Sequence, residues 1–103
     1  MLESTLQSKF IRKVKELNLG IAVKVDSSSR RGWPDLVYVD WNGFVSLIEM
    51  KADHGKLSEH QKDLHGELIA LGCEVVTITG DGRLNKFIEQ LVAEYTAQHP
   101  AKA

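Results

Sequence analysis

Apolar residues recur at two different periods along this chain, and the change from one period to the other predicts its elements. At the start they are three or four residues apart, which is typical of an amphipathic helix, and the segment 18–20, Asn-Leu-Gly, supplies a stop. Residues 21–25 then alternate between apolar and polar, which predicts a strand. The apolar positions of the helix are Leu2, Leu6, Phe10, Ile11, Val14 and Leu17.

Two more strands are predicted after residues 26–32, which have the composition of a loop. The second strand covers residues 36–39 and the third covers residues 44–51. Between them, Asn42 and Gly43 are a hairpin signal, because both residues tolerate a positive φ.

The predicted hairpin makes a geometric demand on the acidic residues beside it. A two-residue Asn-Gly turn pairs residues whose numbers sum to 85, which places Asp35 opposite Met50 and puts Asp35 and Glu49 on opposite sheet faces. Joint use of the two carboxylates therefore requires another register, a bulge, or a bend before regular pairing begins. Pro34 favours a bend at residues 33–35, because it cannot donate to the ladder.

The second half of the chain returns to the helical period. Residues 52–57 are predicted as a loop, and Ser58 with Gln61 fits a capping box that opens a helix. Gly72 follows the end of this helix. Its apolar positions include Leu64, Leu68, Ile69 and Leu71.

A fourth strand and a last helix complete the pattern. The strand is predicted over residues 74–79, Cys73 is expected in a strand and not in a metal site or disulfide, and Gly80, Asp81 and Gly82 turn the chain into the helix. The buried stripe of that helix is Leu84, Phe87, Ile88, Leu91, Val92 and Tyr95.

The element order, helix, three strands, helix, strand, helix, predicts an α/β domain with a mixed four-stranded sheet flanked by helices. The first three strands can pair antiparallel, whereas the fourth is reached through a helical crossover and is expected to be parallel to its neighbour. We expect residues 1–98 to form a single domain and residues 99–103 to be a frayed tail.

Composition limits the functions that this domain can have. The chain has 103 residues, of which 43% are hydrophobic, so it can bury one modest core. Thirteen Lys and Arg against fourteen Asp and Glu argue against a protein that coats nucleic acid by bulk charge, but they allow a local basic rim. One cysteine, no membrane-length apolar stretch and no signal-peptide pattern predict a soluble, cytoplasmic protein.

Three charged residues suggest a chemistry. Glu49 and Lys51 lie two apart on a largely apolar strand, so they point to one face, and Asp35 would come from the neighbouring strand. Two carboxylates and a backbone carbonyl such as that of Met50 suit Mg²⁺ or Mn²⁺, which prefer oxygen ligands. Such a site would activate water against a phosphodiester, with Lys51 orienting or deprotonating that water or stabilising the transition state. The alternative is a strand end that carries a surface ion pair.

Four segments in this order resemble the PD-(D/E)XK nuclease superfamily, and within it the short stand-alone phage or bacterial type of the VRR-NUC family. The resemblance implies a restriction-endonuclease-like core and a metal-dependent endonuclease that acts as a homodimer. The segments are Glu3 on the first helix, Gly32-Trp33-Pro34-Asp35-Leu36, Ile48-Glu49-Met50-Lys51-Ala52, and Leu57-Ser58-Glu59-His60-Gln61.

The resemblance implies two further residues at the acidic site, and each has a structural alternative. Glu3 is implied as an additional acidic ligand or as a holder of a water at the site, but a carboxylate near a helix N-terminus is also favourable by itself. Gln61 is implied as an active-site contact, whereas the capping box would turn the same side chain back onto the backbone of Ser58.

The loop before the second strand is the expected substrate contact. Arg30 and Arg31 could grip phosphates, and Trp33 could stack on an exposed base. Lys56 is another candidate phosphate contact. The alternatives are a solvated basic loop, a solvated lysine, and a Trp33 that packs on the core.

The histidines have no partner cysteines and poor spacing for sharing one metal ion. His60, His65 and His99 are therefore expected to be surface or helix-face residues. His54 could touch substrate, because it follows Lys51 in the loop beside the site.

These observations predict a divalent-metal-dependent endonuclease for DNA, with Mg²⁺ or Mn²⁺ as cofactor. A domain this small has little surface for reading bases, so we expect selection by shape, such as a flap, a branch or a Holliday-like four-way junction. The last helix and the first strand's loop are candidate dimer surfaces, and a helicase or a replication or repair protein is a candidate partner. The alternatives are a catalytically weak nucleic-acid-binding or helicase-partner module and an RNA-directed hydrolase.

Overall fold

The computed structural model describes residues 1–26 and 29–100. The predictions made for residues 27, 28 and 101–103 lie outside the described residues. The element order αβββαβα is confirmed. The elements are α1 (Glu3–Glu16), β1 (Gly20–Lys24), β2 (Leu36–Asp40), β3 (Val45–Lys51), α2 (Glu59–Ala70), β4 (Glu74–Thr79) and α3 (Gly80–Gln98).

The four strands form one mixed sheet in the order β1-β2-β3-β4. Strands β1, β2 and β3 pair antiparallel, and β4 pairs parallel to β3 after the α2 crossover. The predicted pairing is therefore confirmed. Because β1 and β4 lie at the edges, β3 is an interior strand with a neighbour on each side.

The predicted register of the β2–β3 hairpin is wrong by one residue. Leu36 pairs with Ile48, so paired numbers sum to 84, and the connection has three residues instead of two. The backbone N–H of Asp40 donates to the Phe44 carbonyl at 2.9 Å, and Gly43 has a φ of 82°. This is the geometry of a turn followed by a left-handed residue, which suits a three-residue hairpin loop.

The Asp40 side chain favours that three-residue loop. Its Oδ1 atom accepts hydrogen bonds from the backbone N–H groups of Asn42, at 2.8 Å, and Phe44, at 3.0 Å. A side chain that bonds to the backbone two residues ahead is a common way to fix a turn. A two-residue turn would not place these two N–H groups around one carboxylate.

The irregularity predicted for residues 33–35 is confirmed. Regular pairing of β2 begins at Leu36, and the chain bends at Asp35. The carbonyl of Asp35 still accepts a hydrogen bond from the Val25 N–H at 2.9 Å, so the bend remains tied to the strand next to it.

The two faces of the sheet carry separate cores. Ile48 and Met50 point to the face covered by α1 and α3, while Leu47 points to the face covered by α2. The main core is Leu6, Phe10, Val14, Leu19, Ala22, Leu36, Tyr38, Ile48, Met50, Ile78, Leu84, Ile88 and Leu91. The smaller core on the α2 face is Leu47, Leu64 and Leu68, with Trp33, Val37 and Val75 against it.

Several element boundaries differ from the sequence prediction by one residue, as at β1 (Gly20–Lys24, predicted as 21–25) and β3 (Val45–Lys51, predicted as 44–51). Gly80, predicted in a turn, is the first residue of α3, and a Cβ at this position would lie 1.9 Å from the Asp53 carboxylate. The carboxylate thus sits close against the positive end of α3, a favourable place for an anion. Cys73 is exposed and precedes β4. Within the described ranges, no helix is long and apolar enough to cross a membrane.

Candidate active site

Asp35 and Glu49 face each other on the α2 side of the sheet. The pair Leu36 and Ile48 fixes the register, and one step further places Asp35 opposite Glu49. Residues directly opposite in an antiparallel pair share a face. The three-residue loop thus provides the different register that joint use of these carboxylates requires.

The Asp35 carboxylate is held by the backbone of β3. Its Oδ2 atom accepts a hydrogen bond from the Met50 N–H at 2.8 Å. Because this donor belongs to the residue after Glu49, the bond ties the bend before β2 directly to the strand that carries the second carboxyl group.

Glu49 is buried without a partner for one of its oxygens. Its side chain is 1% exposed, and Oε1 makes no hydrogen bond. The pKa of Glu49 is raised to about 9, first by burial and then by a hydrogen bond with Asp35 and the Asp35 charge, against the opposing charge of Lys51. Burying such a carboxyl group costs free energy unless it binds a cation or a proton.

Lys51 is placed beside these carboxylates by the strand period. It shares a face with Glu49, and its side chain is only 12% exposed. Its Nζ atom lies 3.8 Å from Oε1 of Glu3, near the N-terminus of α1. The fold therefore brings Glu3 to the site through Lys51, while its role as a ligand or as a holder of water stays a prediction.

His65 is a site residue that the sequence analysis missed. It was predicted on the surface or on a helix face, but its side chain is 4% exposed. Its Nε2 atom lies 3.7 Å from Oε1 of Glu49. The available signal was helical spacing, because His65 falls between Leu64 and Leu68 on the buried stripe of α2.

The environment of His65 has two opposing effects. Burial lowers the pKa of His65, and a hydrogen bond with the backbone of Gly32 partly opposes that change. The loop that carries Gly32 therefore helps to fix the imidazole ring.

Gln61 forms the capping box. The Ser58 N–H donates to Gln61 Oε1 at 2.8 Å, and the Gln61 N–H donates to Ser58 Oγ at 3.2 Å. Of the two alternatives for this side chain, the structural one is present. A role for Gln61 at the site stays a prediction, although it lies one helical turn before His65 and so on the same face.

Gly32 brings the loop before β2 against the start of α2. It has a φ of 88°, and a Cβ there would lie 2.5 Å from the backbone carbonyl oxygen of His60. Only glycine accepts both the left-handed backbone and this approach. The contact positions the chain that leads into Pro34 and Asp35.

The other predicted substrate contacts occupy different surroundings. Arg30 pairs with Glu67 at 2.5 Å, and Nη1 of Arg31 lies 3.5 Å from Nε2 of His60. Lys56 is exposed. Trp33 packs against the smaller core, as in its structural alternative, and its indole N–H is buried with no partner. Their contacts with nucleic acid stay predictions.

The donor set at this place is chemically suited to a hard divalent cation. Carboxylate oxygens of Asp35 and Glu49 are the ligands that Mg²⁺ and Mn²⁺ prefer, and Glu49 Oε1 is buried without another partner. Within residues 1–26 and 29–100, no group of three or more His, Cys, Asp or Glu side chains is arranged to hold an ion. Two carboxylates would therefore rely on backbone oxygen and water for the remaining positions.

Comparisons with known proteins agree with this fold. No protein-family model matches the chain. It is 33% identical over 76 residues to "Putative nuclease p44" of Acyrthosiphon pisum secondary endosymbiont phage 1, a match that spans 74% of this chain and 81% of that protein. A solved structure described as a VRR_NUC domain superposes with a TM-score of 0.67 at 22% identity, covering 96% of this chain and 97% of the other.

The fold is therefore restriction-endonuclease-like, and the class of protein is nuclease. This chain belongs to the VRR-NUC family of nucleases. The resemblance drawn from the four sequence segments is confirmed at this level.

Proposed function

We propose that this protein is a divalent-metal-dependent endonuclease that hydrolyses phosphodiester bonds in DNA. The observation that carries the proposal is the facing of Asp35 and Glu49, with Lys51 on the same side of the sheet. Nothing in packing requires a buried, unpartnered carboxyl beside a second carboxyl, since like charges repel and burial penalises both. A site for a cation accounts for this arrangement.

In this proposal, Asp35, Glu49 and the Met50 carbonyl hold Mg²⁺ or Mn²⁺. When bound, the ion would make a water molecule more acidic and offset negative charge on the phosphate. Lys51 would hold the attacking water or stabilise the charge that develops on the phosphate oxygens. The water oxygen forms the new bond to phosphorus and gives up a proton, the bond from phosphorus to one ester oxygen breaks, and that oxygen takes up a proton.

The neighbouring residues have supporting roles in the proposal. Glu3 holds the Lys51 ammonium in place or binds a water at the site, as its distance of 3.8 Å from Nζ suggests. Gln61 acts at the same place when its side chain leaves the cap, which a ~1 kcal/mol cap permits. Arg30, Arg31 and Lys56 provide backbone phosphate contacts, and Trp33 supports the loop that carries them.

We further propose that the enzyme selects branched DNA by shape and acts as a homodimer. An apolar surface on the α2 side of the sheet supports self-association. Ile21 on the edge strand β1 is 66% exposed and pairs with Val39, which in turn pairs with Val45. With Val23, these side chains form an exposed apolar patch, a feature that commonly marks a protein interface. Two sites related by a twofold axis would suit paired strands of a junction.

The test is cleavage of end-labelled linear duplex, splayed-arm, flap and four-way-junction DNA in Mg²⁺, Mn²⁺ or Ca²⁺. Wild type is compared with Glu49→Gln and Lys51→Ala. The proposal expects Mg²⁺- or Mn²⁺-dependent cutting of a branched substrate that both substitutions abolish. Cutting that survives both substitutions would overturn the assigned site. Absence of DNA cutting together with cutting of a matched RNA junction would assign the enzyme to RNA, and binding without any cutting would favour a binding or helicase-partner module.

A further inference from the structure

The strongest unexplained feature of the site is a pair of buried atoms that face each other without partners. His65 Nε2 and Glu49 Oε1 lie 3.7 Å apart, and neither makes a hydrogen bond. The two side chains are 4% and 1% exposed, respectively. Buried polar atoms in folded proteins are almost always paired, so two orphans at one place call for a shared ligand.

The ring nitrogens of His65 have different surroundings. A hydrogen bond joins the His65 ring to the backbone of Gly32. Because Nε2 has no partner, Nδ1 is the ring atom in this bond, and with the Gly32 carbonyl as acceptor it carries the ring proton. In the neutral ring, Nε2 then carries a lone pair directed toward Glu49.

This arrangement is typical of a metal-binding histidine. Such residues donate their second ring N–H to a backbone carbonyl or carboxylate, which fixes the tautomer and the orientation of the ring. A histidine that only fills the core would instead have both nitrogens satisfied. When Glu49 is ionised, its oxygen and the His65 nitrogen both present lone pairs, and a cation between them satisfies both.

We propose that His65 Nε2 is a nitrogen ligand of the divalent ion held by Glu49. This inference rests on the proposed function, because it assigns a further ligand to the same site. Mg²⁺ and Mn²⁺ keep several waters, so water can complete the coordination of an ion that Glu49 and His65 hold between them. Imidazole favours transition ions over Mg²⁺ and Ca²⁺, so His65 makes the site selective for Mn²⁺ or a similar ion over Mg²⁺.

The experiment measures metal binding in solution, without substrate. Mn²⁺ and Mg²⁺ are titrated into metal-free wild type, His65→Leu and the control His60→Leu, which changes an exposed histidine on the same helix. His65→Leu is expected to weaken Mn²⁺ binding about 10-fold or more, the loss common when a metal-site partner is removed. Mg²⁺ binding should change much less, so the Mn²⁺/Mg²⁺ ratio falls. The control should keep the wild-type ratio.

A spectroscopic measurement on wild type does not depend on the fold of any variant. Pulsed electron paramagnetic resonance of bound Mn²⁺ is expected to detect a directly coupled nitrogen, and its signal should change when the histidines are labelled with ¹⁵N. Bound Mn²⁺ without nitrogen coupling, or His65→Leu with the wild-type Mn²⁺/Mg²⁺ ratio, would overturn the assignment of His65.

Failure of this inference differs from failure of the proposed function. Wild type that cuts DNA with Mn²⁺ but shows no nitrogen coupling removes only His65 from the site. Wild type that binds Mn²⁺ through nitrogen but cuts no nucleic acid removes only the nuclease activity. Wild type that binds neither ion overturns both.

Discussion

The Asp35 carboxylate accepts a hydrogen bond from the Met50 backbone N–H, directly next to the Glu49 side chain that it faces. One oxygen of Asp35 therefore holds the site together. The other oxygen is left for a cation or for Glu49. Replacing the carboxylate by an amide would separate its two functions, the hydrogen bond to Met50 and the negative charge at the site.

Asp35→Asn should leave the fold intact and reduce DNA cleavage by roughly 100-fold or more. The amide oxygen of asparagine can still accept the Met50 N–H, but it has no negative charge to hold an ion or to offset charge at the reacting phosphate. The measurement is the single-turnover cleavage rate, together with the melting temperature. Asp63→Asn, an exposed change on α2, is the matched control. An Asp35→Asn enzyme that cuts at the wild-type rate would contradict the assignment.

Glu49→Gln should abolish cleavage and raise the stability of the metal-free protein. At pH 8, wild type must either protonate Glu49 or bury its charge on folding, and an uncharged amide of the same shape removes this cost of about 1–3 kcal/mol. For a domain of this size, each kcal/mol raises the melting temperature by about 4–8 °C. Thermal melting of both proteins in EDTA measures the difference in stability. A Glu49→Gln protein that is no more stable than wild type at pH 8 would contradict the prediction.

The same pair of proteins should differ in how their stability depends on pH. The pKa of Glu49 rises from 4.5 to about 9 in the folded protein, so the folded form binds this proton more tightly than the unfolded form. The stability that proton binding at Glu49 gives the folded protein is fully present below pH 4.5 and is lost as the pH rises through 9. The melting temperature of metal-free wild type should therefore fall relative to Glu49→Gln between these limits. A constant difference across that range would refute the burial argument.

Gly32→Ala should destabilise the protein by about 1–3 kcal/mol, because alanine is strained at a positive φ and its Cβ meets the His60 carbonyl. Cleavage should fall as well, since this loop leads into Asp35 and bonds to His65. Denaturant unfolding measures the cost. In the control Gly66→Ala, a Cβ within α2 has open space around it, and stability should increase by about 0.5–1 kcal/mol.

Ile21→Lys should convert the proposed dimer into a monomer. A charge on the edge strand prevents burial of the apolar patch that Ile21 forms with Val23 and Val45. Sedimentation velocity at several concentrations gives the assembly state. Ile69→Lys changes another exposed isoleucine, on α2, and should leave the dimer unaffected. A wild-type protein that sediments as a monomer at all concentrations would remove the dimer from the proposal.

The elements were predictable from sequence because their signals are local. Hydrophobic period, the capping box at Ser58 and the turn residues each act over a few positions, so the order of helices and strands followed from them. The hairpin register was not predictable in this way. Asn42 and Gly43 suit a two-residue turn equally well, and the choice depends on hydrogen bonds that the Asp40 carboxylate accepts from Asn42 and Phe44 in the folded loop.

The candidate site divides along the same line. Asp35, Glu49 and Lys51 were identified from the strand period and from the resemblance to a nuclease family. His65 was missed because the histidines were judged by their spacing along one helix. Its contact is with Glu49, which lies on a strand. The two alternatives for Gln61, a helix cap and a contact at the site, could not be separated from sequence. Its position allows both, because it is three residues after Ser58 and on the same helix face as His65.

The Asp40 carboxylate also influences whether all molecules fold with the same β2–β3 register. The same hairpin sequence could close with Asn42 and Gly43 alone, and that shifted form would turn Asp35 away from Glu49 while keeping most ladder hydrogen bonds. Asp40 lies roughly 17 Å along the strand from Asp35. A side chain that touches neither carboxylate thus selects between two alternative pairings of one sequence, and a population of folded but inactive molecules would be the result of losing it.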